Sequence, residues 1–352
     1  MTDYKKIMKR CIALAKKAGG KTSPNPLVGC VVLDKNGVVI SEGYHHKYGD
    51  AHAERDALLK LKNGEEKEGT LVVNLEPCSH YGKTPPCADL IVERGLKTVV
   101  IGCGDNNPKV NGKGIQKLKQ AGIDVICGIL EDECRELNEI FFTDIEEKRP
   151  FVAIKTATTI DGKISTCIGD SKWITSEKSR KYGKKLRLYY DAILTSSNTV
   201  VSDNPVMKHK INIILDKDFK TDINSEIYKN EKVILVIGEK TEIKAELPNN
   251  ISVIKCGLKN NKIDLRVLLK EIYKLGIKSV FVEAGGELCG SFIKENLADK
   301  IYHFIAPKIL NDNSGKSCFN GDEIEKISQS KIYRLVSVKK LGDDILITYK
   351  KG

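Results

Sequence analysis

The sequence predicts an α/β protein of two domains. At 352 residues the chain is too long for one typical core and suits two domains of ordinary size. Apolar segments of strand length alternate with amphipathic segments of helix length, as in sheets covered by helices. The polar run 146–150 ends in Pro150 and separates two such series. We therefore place the domain boundary between residues 1–147 and 148–352.

The first domain is predicted to be a sheet with helices on both faces. Asn36-Gly37 lies between two apolar runs and indicates a hairpin turn. In chain order, the patterns predict a helix (4–18), the two hairpin strands (28–33 and 38–43), a helix (51–61), a strand (70–75), a helix opening at Cys87, a strand (98–102), a helix (114–121), a strand (124–127) and one connecting helix (131–143).

The second domain shows the same alternation of apolar and amphipathic segments, with weaker turn signals between them. Its patterns predict strands at 151–156, 233–238, 279–282 and 300–305, a helix capped by Ser176 and a helix at 265–275. No G-x-G-x-x-G follows a strand, so the standard dinucleotide fingerprint is absent. Spacing alone indicates an α/β domain with a possible anion pocket.

The composition is that of a globular protein, with 41% hydrophobic and 30% charged residues. No apolar run approaches the roughly 20 residues of a membrane span, and the N-terminus has no signal-peptide core. Eleven cysteines are scattered without a framework, which favours a reducing compartment. We expect a cytoplasmic protein without a membrane partner.

The net charge of +11 lies almost entirely after residue 150. A basic half can attract nucleic acid, but it suits a phosphorylated substrate or a dinucleotide equally well. The basic residues mostly alternate with acids, only 178–187 is a dense cluster, and few aromatic residues are interleaved. We therefore expect a small phosphorylated molecule, and no nucleic acid, as the partner.

The strongest chemical signal is His52-Ala53-Glu54 followed by Glu76-Pro77-Cys78 and then Cys87. One His and two Cys can supply three ligands to a tetrahedral zinc and leave the fourth position open. Zinc nucleobase deaminases carry H-x-E and P-C-x-x-C, with the Glu as general acid/base. Here eight residues separate the two cysteines. A structural zinc usually has a fourth protein ligand; His80 is the one nearby candidate, and Glu54 would then have no role. The pattern favours a catalytic zinc site.

The long Cys spacing, the segment 82–87 (G-K-T-P-P-C) and the loop 104–114 resemble the deaminase domain of the bifunctional riboflavin-biosynthesis deaminase/reductases. The resemblance implies a cytidine-deaminase-like three-layer fold. It implies that His52, Cys78 and Cys87 hold zinc, that Glu54 moves protons, and that Asn25 and His45 orient the pyrimidine. It places His80, Lys83, Thr84, Asp105 and Asn107 at the ribose-phosphate end of the substrate.

The second domain resembles the reductase half of the same family in segments such as 171–175, 203–205 and 283–286. That half has a dihydrofolate-reductase-like fold and uses NADPH. The resemblance implies that Lys155, Ser171, Arg187, Asp203, Lys210 and Glu283 bind the substrate. It further implies that Trp173, Ile174, Thr175, Thr199, Gly285 and Gly286 lie along the cofactor, with Trp173 also bordering the substrate.

The resemblance thus implies two reactions. The first is zinc-dependent deamination of 2,5-diamino-6-ribosylamino-4(3H)-pyrimidinone 5′-phosphate, and the second is NADPH-dependent reduction of its ribosyl group to ribityl. We also expect a homo-oligomer, either a dimer or a tetramer.

Two segments depart from the family pattern. Residues 195–198 (T-S-S-N) replace a Val-Gly-type turn, and Lys210 stands where the family usually has Arg. Three alternatives stay open: a deaminase with a degenerate reductase domain, a nucleotide or RNA deaminase with a basic binding domain, and a non-catalytic zinc-binding interaction protein.

Overall fold

The computed structural model describes residues 2–62, 64–81, 85–107, 110–243 and 245–352. The chain forms two compact units, residues 1–148 and residues 149–352. Each unit is built on its own β-sheet, and helices pack against it. The predicted α/β class is therefore confirmed.

Unit 1 contains a five-stranded mixed sheet. Its strand order is β2-β1-β3-β4-β5; β1 is antiparallel to both β2 and β3, and β3, β4 and β5 are parallel. The elements are α1 (Tyr4–Ala15), β1 (Gly29–Leu33), β2 (Val39–Tyr44), α2 (Ala53–Leu58), β3 (Thr70–Leu75), α3 (Cys87–Glu93), β4 (Thr98–Cys103), α4 (Lys113–Gln120), β5 (Asp124–Cys127), α5 (Glu131–Leu137) and α6 (Glu139–Glu147), with a 3-10 segment at Lys16–Thr22.

Helices cover both faces of this sheet and make three layers. Successive residues of β1, such as Val31 and Val32, point to opposite faces of the sheet, as side chains along a strand do. Val32 packs in a core with α2, α3 and α4, whereas Val31 packs in a core with α1, α5 and α6. The predicted cytidine-deaminase-like three-layer arrangement is confirmed.

The prediction of one connecting helix over 131–143 is wrong. The structure has two helices, α5 and α6, which meet at Asn138. Asn138 leaves the helical conformation (φ −111°, ψ 24°), and its side chain accepts a hydrogen bond from Leu27 N at 2.7 Å and donates one to Leu27 O at 3.0 Å. This side chain-to-backbone pairing replaces a continuous helix at that residue.

Unit 2 contains a nine-stranded sheet in the order β11-β10-β9-β8-β14-β6-β15-β18-β17, parallel except that β18 is antiparallel to β15 and β17. The elements are β6 (Phe151–Thr158), β7 (Lys163–Ser165), α7 (Glu177–Arg187), β8 (Ala192–Ser196), α8 (Ser197–Asp203), β9 (Asn212–Leu215), β10 (Val233–Gly238), β11 (Ile251–Cys256), β12 (Leu258–Lys259), β13 (Lys262–Ile263), α9 (Leu265–Lys274), β14 (Ser279–Val282), α10 (Gly286–Lys294), β15 (Lys300–Ile305), β16 (Lys316–Ser317), β17 (Tyr333–Leu341) and β18 (Asp344–Lys351).

Both faces of the large sheet are covered. Helices α9 and α10 pack on one face against alternate residues such as Ile154 and Leu194. On the other face Tyr190, which follows α7, stacks between Phe151 and Phe281. The near-continuous apolar strands of the sheet centre are those expected of parallel strands buried on both sides.

In the part of the chain that the structure describes, every helix is too short or too polar to cross a bilayer.

Candidate active sites

The first candidate site lies in unit 1, where the ends of three elements meet. His52 is the N-cap residue of α2, Cys87 is the first residue of α3, and Cys78 lies in the loop that follows β3. Because the N-terminal turns of two helices and the carboxyl end of a strand converge here, three residues distant in sequence become neighbours.

The three potential ligand atoms are close together. His52 Nδ1 lies 3.5 Å from Cys78 Sγ and 3.5 Å from Cys87 Sγ, and all three atoms lie within 4.8 Å of one another. Zinc bonds of about 2.1 Å to nitrogen and 2.3 Å to sulfur, at tetrahedral angles, separate those atoms by about 3.6 Å. The spacing therefore matches three corners of a zinc tetrahedron. Among the described residues it is the one His/Cys/Asp/Glu cluster with metal-site spacing.

The surroundings of Cys78 favour its thiolate. Hydrogen bonds from Cys87 and His52 lower the pKa of the Cys78 thiol, and the Cys87 backbone N–H also points at its sulfur, at 3.3 Å. A thiolate is the form of cysteine that binds metals. Cys78 is therefore the thiolate of the pair, whereas the hydrogen bond to Cys78 and burial raise the pKa of the Cys87 thiol.

Glu54 lies beside this cluster in the first turn of α2. Its side chain is buried, and burial, together with the charge of Cys78, raises its pKa to about 7. A carboxyl group with a pKa near neutrality can both accept and release a proton. The arrangement is suited to general acid/base chemistry next to a metal.

Asn25 and His45 form a second polar pair in the same unit. His45 is buried, its Nδ1 lies 3.0 Å from Ala51 O, and its Nε2 lies 3.2 Å from Asn25 Nδ2. Since a carbonyl only accepts, Nδ1 carries the proton and Nε2 accepts from Asn25. Burial lowers the pKa of His45, so the ring is held neutral. The Asn25 amide is consequently oriented, with its N–H group engaged by His45.

The sequence patterns did not reveal which side chains hold the backbone segment that follows Asn25. Asn74 of β3 accepts a hydrogen bond from Gly29 N and donates one to Leu27 O, and Asn138 also bonds both backbone groups of Leu27. Two buried amides thereby fix the backbone two residues after Asn25. Both lie far away in sequence, and no local pattern marks them.

The residues expected at the ribose-phosphate end are distributed as follows. His80 lies near the cluster in sequence, and its Nδ1 is buried without a hydrogen-bond partner among the described residues. Asp105 is buried, which raises its pKa to about 6, and its Oδ1 accepts a hydrogen bond from Asn107 N at 2.8 Å. The predictions for Lys83 and Thr84 lie outside the described residues.

The second candidate site lies in unit 2 around Arg187 and Glu283. The Arg187 guanidinium contacts both carboxylate oxygens of Glu283, at 2.6 and 3.0 Å. Burial alone would raise the pKa of Glu283, but the charges of Arg187 and Lys155 outweigh it and hold the pKa below its ordinary value. His209, which sequence reasoning did not select, contacts the Arg187 carbonyl through Nε2 at 3.2 Å.

Trp173, Ile174 and Thr175 precede α7 and are fixed by long side chains. The Arg180 guanidinium lies 4.4 Å from the centre of the Trp173 ring and donates to Thr175 O at 2.6 Å. Lys308 Nζ donates to Trp173 O at 2.6 Å. The indole is nevertheless 62% exposed, so it presents a flat apolar surface to solvent or to a ligand.

The segment 195–198 adopts ordinary backbone conformations. Ser196 (φ −109°) is the N-cap of α8, and its hydroxyl accepts a hydrogen bond from Thr199 N at 3.4 Å. Thr195 is buried and donates to Glu283 O at 2.7 Å. None of the four residues has a positive φ, so the glycine of the family pattern is not needed here for its conformational freedom.

A cavity of about 510 Å³ lies beyond the carboxyl ends of β8 and β9, beside α10. This is where α/β sheets commonly bind ligands, and its volume suits a cofactor. Its lining includes Ser196, Asn198, Lys217, Lys220, Leu288 and Gly290. Of the described residues, the six predicted for the cofactor are not in this lining, although Thr199 and Gly286 are close to it in sequence.

The remaining predicted residues of unit 2 differ in their surroundings. A Cβ at Gly286 would overlap Ser317 O, so this glycine is required by the chain itself, whereas a Cβ at Gly285 would meet open space. Ser171 and Asp203 are partly buried. Lys210 is exposed and, within the described ranges, makes no hydrogen bond or ion pair.

Comparisons with known proteins agree with the division of the chain into two units. Residues 1–103 match the cytidine and deoxycytidylate deaminase zinc-binding region, and residues 150–347 match the RibD C-terminal domain. The chain is 42% identical to riboflavin biosynthesis protein RibD of Aquifex aeolicus, covering 99% of this chain and 98% of that protein. It is 40% identical to RibD of Actinobacillus pleuropneumoniae, covering 99% and 95%.

Solved structures are similar over the whole length. A diaminohydroxyphosphoribosylaminopyrimidine deaminase/5-amino-6-(5-phosphoribosylamino)uracil reductase from Thermotoga maritima has a TM-score of 0.86 and 38% identity, covering 99% of both chains. Acinetobacter baumannii RibD has a TM-score of 0.86 and 34% identity, also covering 99% of both.

Fold and sites together define a two-enzyme chain in which a zinc-dependent deaminase is joined to a reductase. The chain belongs to the RibD family of bifunctional riboflavin-biosynthesis proteins. The predicted cofactors, Zn²⁺ and NADPH, are confirmed at the level of the family.

Proposed function

We propose that this chain deaminates 2,5-diamino-6-ribosylamino-4(3H)-pyrimidinone 5′-phosphate in unit 1 and then reduces the ribosyl group of the product to ribityl in unit 2. The observation that carries the proposal is the convergence of His52, Cys78 and Cys87 beside the buried carboxyl group of Glu54. The Thermotoga maritima relative, which is named for both steps on such a substrate, supports the substrate class.

His52, Cys78 and Cys87 would hold the zinc ion. Their donor set of one imidazole and two thiols, with 3.5 Å between His52 Nδ1 and each sulfur, fits the metal and leaves one coordination position for a non-protein ligand. When bound, zinc supplies a Lewis acid that brings the pKa of water to about 7.

Glu54 has the role of proton carrier. Its carboxylate takes a proton from the attacking water and delivers it to the departing amino nitrogen, which leaves as ammonia. Because the side chain is buried, this proton is not readily exchanged with bulk water. The same burial makes the protonated and ionised forms of Glu54 close in energy at neutral pH.

Asn25 and His45 orient the pyrimidine in this proposal. The neutral His45 accepts from the Asn25 amide nitrogen, which leaves the Asn25 carbonyl oxygen directed at a donor such as a pyrimidine amino group. The buried Nδ1 of His80 gains a partner from the substrate. Asp105 and Asn107 contact the ribose-phosphate end, together with Lys83 and Thr84.

In unit 2, Arg187 is the main candidate for holding the substrate phosphate. Its guanidinium is positioned by Glu283, and Lys155 adds a second positive charge nearby. We assign Ser171, Asp203 and Lys210 to the same substrate as secondary contacts. Ser171 and Asp203 offer polar contacts to the open-chain ribosyl group, and Lys210 adds positive charge for its phosphate.

NADPH fits the same unit, because the 510 Å³ cavity lies at the carboxyl ends of parallel strands and five lysine residues (217, 220, 259, 262 and 294) line it. When bound, NADPH supplies the hydride. Trp173, Ile174, Thr175, Thr199, Gly285 and Gly286 would border the nicotinamide half, and the cavity would take the adenosine half.

We further propose a cytoplasmic location and a homo-oligomer, either a dimer or a tetramer. All eleven cysteines are free thiols, which supports a reducing compartment. The edge strand β17 exposes Leu335 and Val338, and the neighbouring β18 exposes Ile345, which supports self-association. Light scattering on the purified protein measures the oligomeric state directly.

The deciding experiment supplies the purified zinc-loaded chain with the diamino-pyrimidinone ribosyl phosphate, with and without NADPH. Mass spectrometry follows loss of ammonia and gain of two hydrogens as separate changes. We expect ammonia loss in both reactions and hydrogen gain only with NADPH. Ammonia loss alone would show that unit 2 is a degenerate reductase, and no change with zinc bound would overturn the substrate assignment.

A further inference from the structure

Glu76, two residues before Cys78, is buried and has an unusual set of partners. Its Oε2 accepts hydrogen bonds from Asp105 N at 3.3 Å and from Gly112 N at 3.1 Å. Its Oε1 accepts from Gly114 N at 3.0 Å and from Ile115 N at 3.2 Å. One carboxylate therefore satisfies four backbone N–H groups, three of them at the start of α4, where a negative charge is favoured.

These contacts join two parts of the deaminase site. Asp105 and Gly112 are the ends of the loop 105–112, of which residues 105–107 and 110–112 are described. The loop carries Asp105 and Asn107, and Asp105 Oδ1 in turn binds Asn107 N. Since the Oε2 atom of Glu76 holds both loop ends, the position of Asn107 is set by the residue that starts the Cys78 loop.

The backbone around Glu76 is itself rigid. Glu76 N donates to Cys103 O at 3.0 Å, which extends the pairing of β3 and β4 beyond the last residue of β3. Gly114 approaches so closely that a Cβ there would overlap Pro77 O. The carboxylate is therefore presented from a fixed point, and the segment 112–115 is packed directly on the backbone that leads to Cys78.

We propose that Glu76 is a positioning residue for the deaminase reaction, which fixes the segments 105–107 and 110–112 so that Asp105 and Asn107 meet the ribose-phosphate end, without itself holding the metal site at Cys78. The inference rests on the proposed function for its substrate. It assigns Glu76 no contact with the reacting atoms, and it predicts an effect on substrate affinity that is separable from metal binding.

The test uses Glu76→Gln in the full chain. A Gln side chain has the same shape, but its NH2 group cannot accept, so at least two of the four backbone N–H groups lose their partner. We expect the KM for the phosphorylated substrate to rise roughly tenfold, with kcat changed by less than about threefold and zinc content unchanged. The KM for the dephosphorylated substrate should stay near the wild-type value, because that molecule lacks the group held by the loop.

Glu66→Gln is the matched control. Glu66 is also a buried carboxylate of unit 1, and it pairs with Arg94 before the start of β3, at the opposite end of that strand from Glu76. We expect this variant to lower stability without changing the KM ratio of the two substrates. A general loss of packing would change both variants alike, and that result would overturn the proposal.

A second variant, Gly112→Ala, perturbs the hydrogen bond between Gly112 N and Glu76 by changing the other partner. Gly112 has φ +80°, which strains any L side chain, but a Cβ there meets open space, so the chain should fold. We expect the same selective rise in KM. This variant keeps the proposal testable if Glu76→Gln fails to fold.

Hydrogen exchange separates failure of this inference from failure of the proposed function. The amides of Gly112, Gly114 and Ile115 should be protected in the wild type and exchange faster in Glu76→Gln, whatever the substrate. Faster exchange in a protein that never deaminates would reject the substrate and retain the positioning contact. Unchanged exchange, unchanged KM, or loss of zinc in Glu76→Gln would overturn the inference.

Discussion

The Arg187 guanidinium donates hydrogen bonds to both carboxylate oxygens of Glu283, at 2.6 and 3.0 Å, inside unit 2. The two side chains are only 15% and 12% exposed, so the pair is largely removed from water. Burial of the two charges costs desolvation, which their contact through both carboxylate oxygens offsets. Glu283 thereby fixes the direction of Arg187, whose charge we assign to the substrate phosphate.

Replacing Glu283 with Gln should therefore damage unit 2 alone. The variant leaves the Arg187 charge largely buried and unpaired, which should lower the free energy of unfolding by about 3 kcal/mol. Reduction should be lost while ammonia release continues. Urea unfolding followed by the fluorescence of Trp173, the single tryptophan, measures the first effect. The control Glu226→Gln removes an exposed ion pair with Lys229 in the same unit and should change the unfolding far less.

The stability difference between wild type and Glu283→Gln should also depend on pH. The pKa of Glu283 is lower in the folded chain than its ordinary value of 4.5. Its ionised form thus stabilises the fold fully above pH 4.5, and this contribution disappears as the pH falls through the folded-state pKa. The variant cannot titrate at this position, so the difference between the two free energies of unfolding should shrink as the pH falls below 4.5. A constant difference down to pH 3 would contradict the ion pair.

Glu54→Gln should abolish deamination without releasing zinc. The amide cannot carry the proton from water to the amino group, so the rate of ammonia loss should fall by about a thousandfold. Metal analysis should still find zinc, because the three proposed ligands are untouched. Reduction of substrate that has already been deaminated is the internal control and should be unchanged. Residual deamination within tenfold of wild type would show that another group moves the proton.

Cys87→Ser should lose zinc, because a hydroxyl is a much weaker ligand for this metal than a thiolate. The matched control is Cys103→Ser, which changes a buried cysteine whose Sγ donates to Asn74 O outside the cluster. Inductively coupled plasma mass spectrometry on both variants gives the zinc content per chain. We expect the control to keep zinc, and full zinc content in Cys87→Ser would refute the ligand assignment.

Much of unit 1 could be predicted because its signals are local. Strands β3 and β5 coincide with the predicted segments 70–75 and 124–127, since each is an apolar run between breakers. His52 and Glu54 are two residues apart, so one helix start presents both. The continuous helix over 131–143 was wrong because its break depends on Leu27, 111 residues away from Asn138.

The polar side chains that hold the sites in place could not be predicted, because they contact residues far away in the sequence. Asn74 reads as an interruption in an apolar strand, and its contacts with Leu27 and Gly29 appear only in three dimensions. In unit 2 the strands β17 and β18 lie at the sheet edge, where frequent charged residues obscure the strand alternation. His209 likewise becomes a neighbour of Arg187 only through the path of the loop after α8.

Thr195, in the segment that we expect to depart from the family pattern, supplies the last prediction. Its hydroxyl donates to Glu283 O at 2.7 Å, so it supports the backbone of the residue that positions Arg187. Thr195→Val keeps the shape, leaves that carbonyl with one partner fewer, and should lower the free energy of unfolding by about 1–2 kcal/mol.

We expect the KM for the phosphorylated substrate in the reduction step to rise in Thr195→Val, because Arg187 loses part of its support, while deamination is unaffected. The control is Thr348→Val in β18, a buried threonine whose hydroxyl makes no hydrogen bond within the described residues. That change should leave stability and both reactions near wild type. Equal effects of the two substitutions would mean that Thr195 contributes only packing, and that its hydrogen bond to Glu283 has no part in the reductase site.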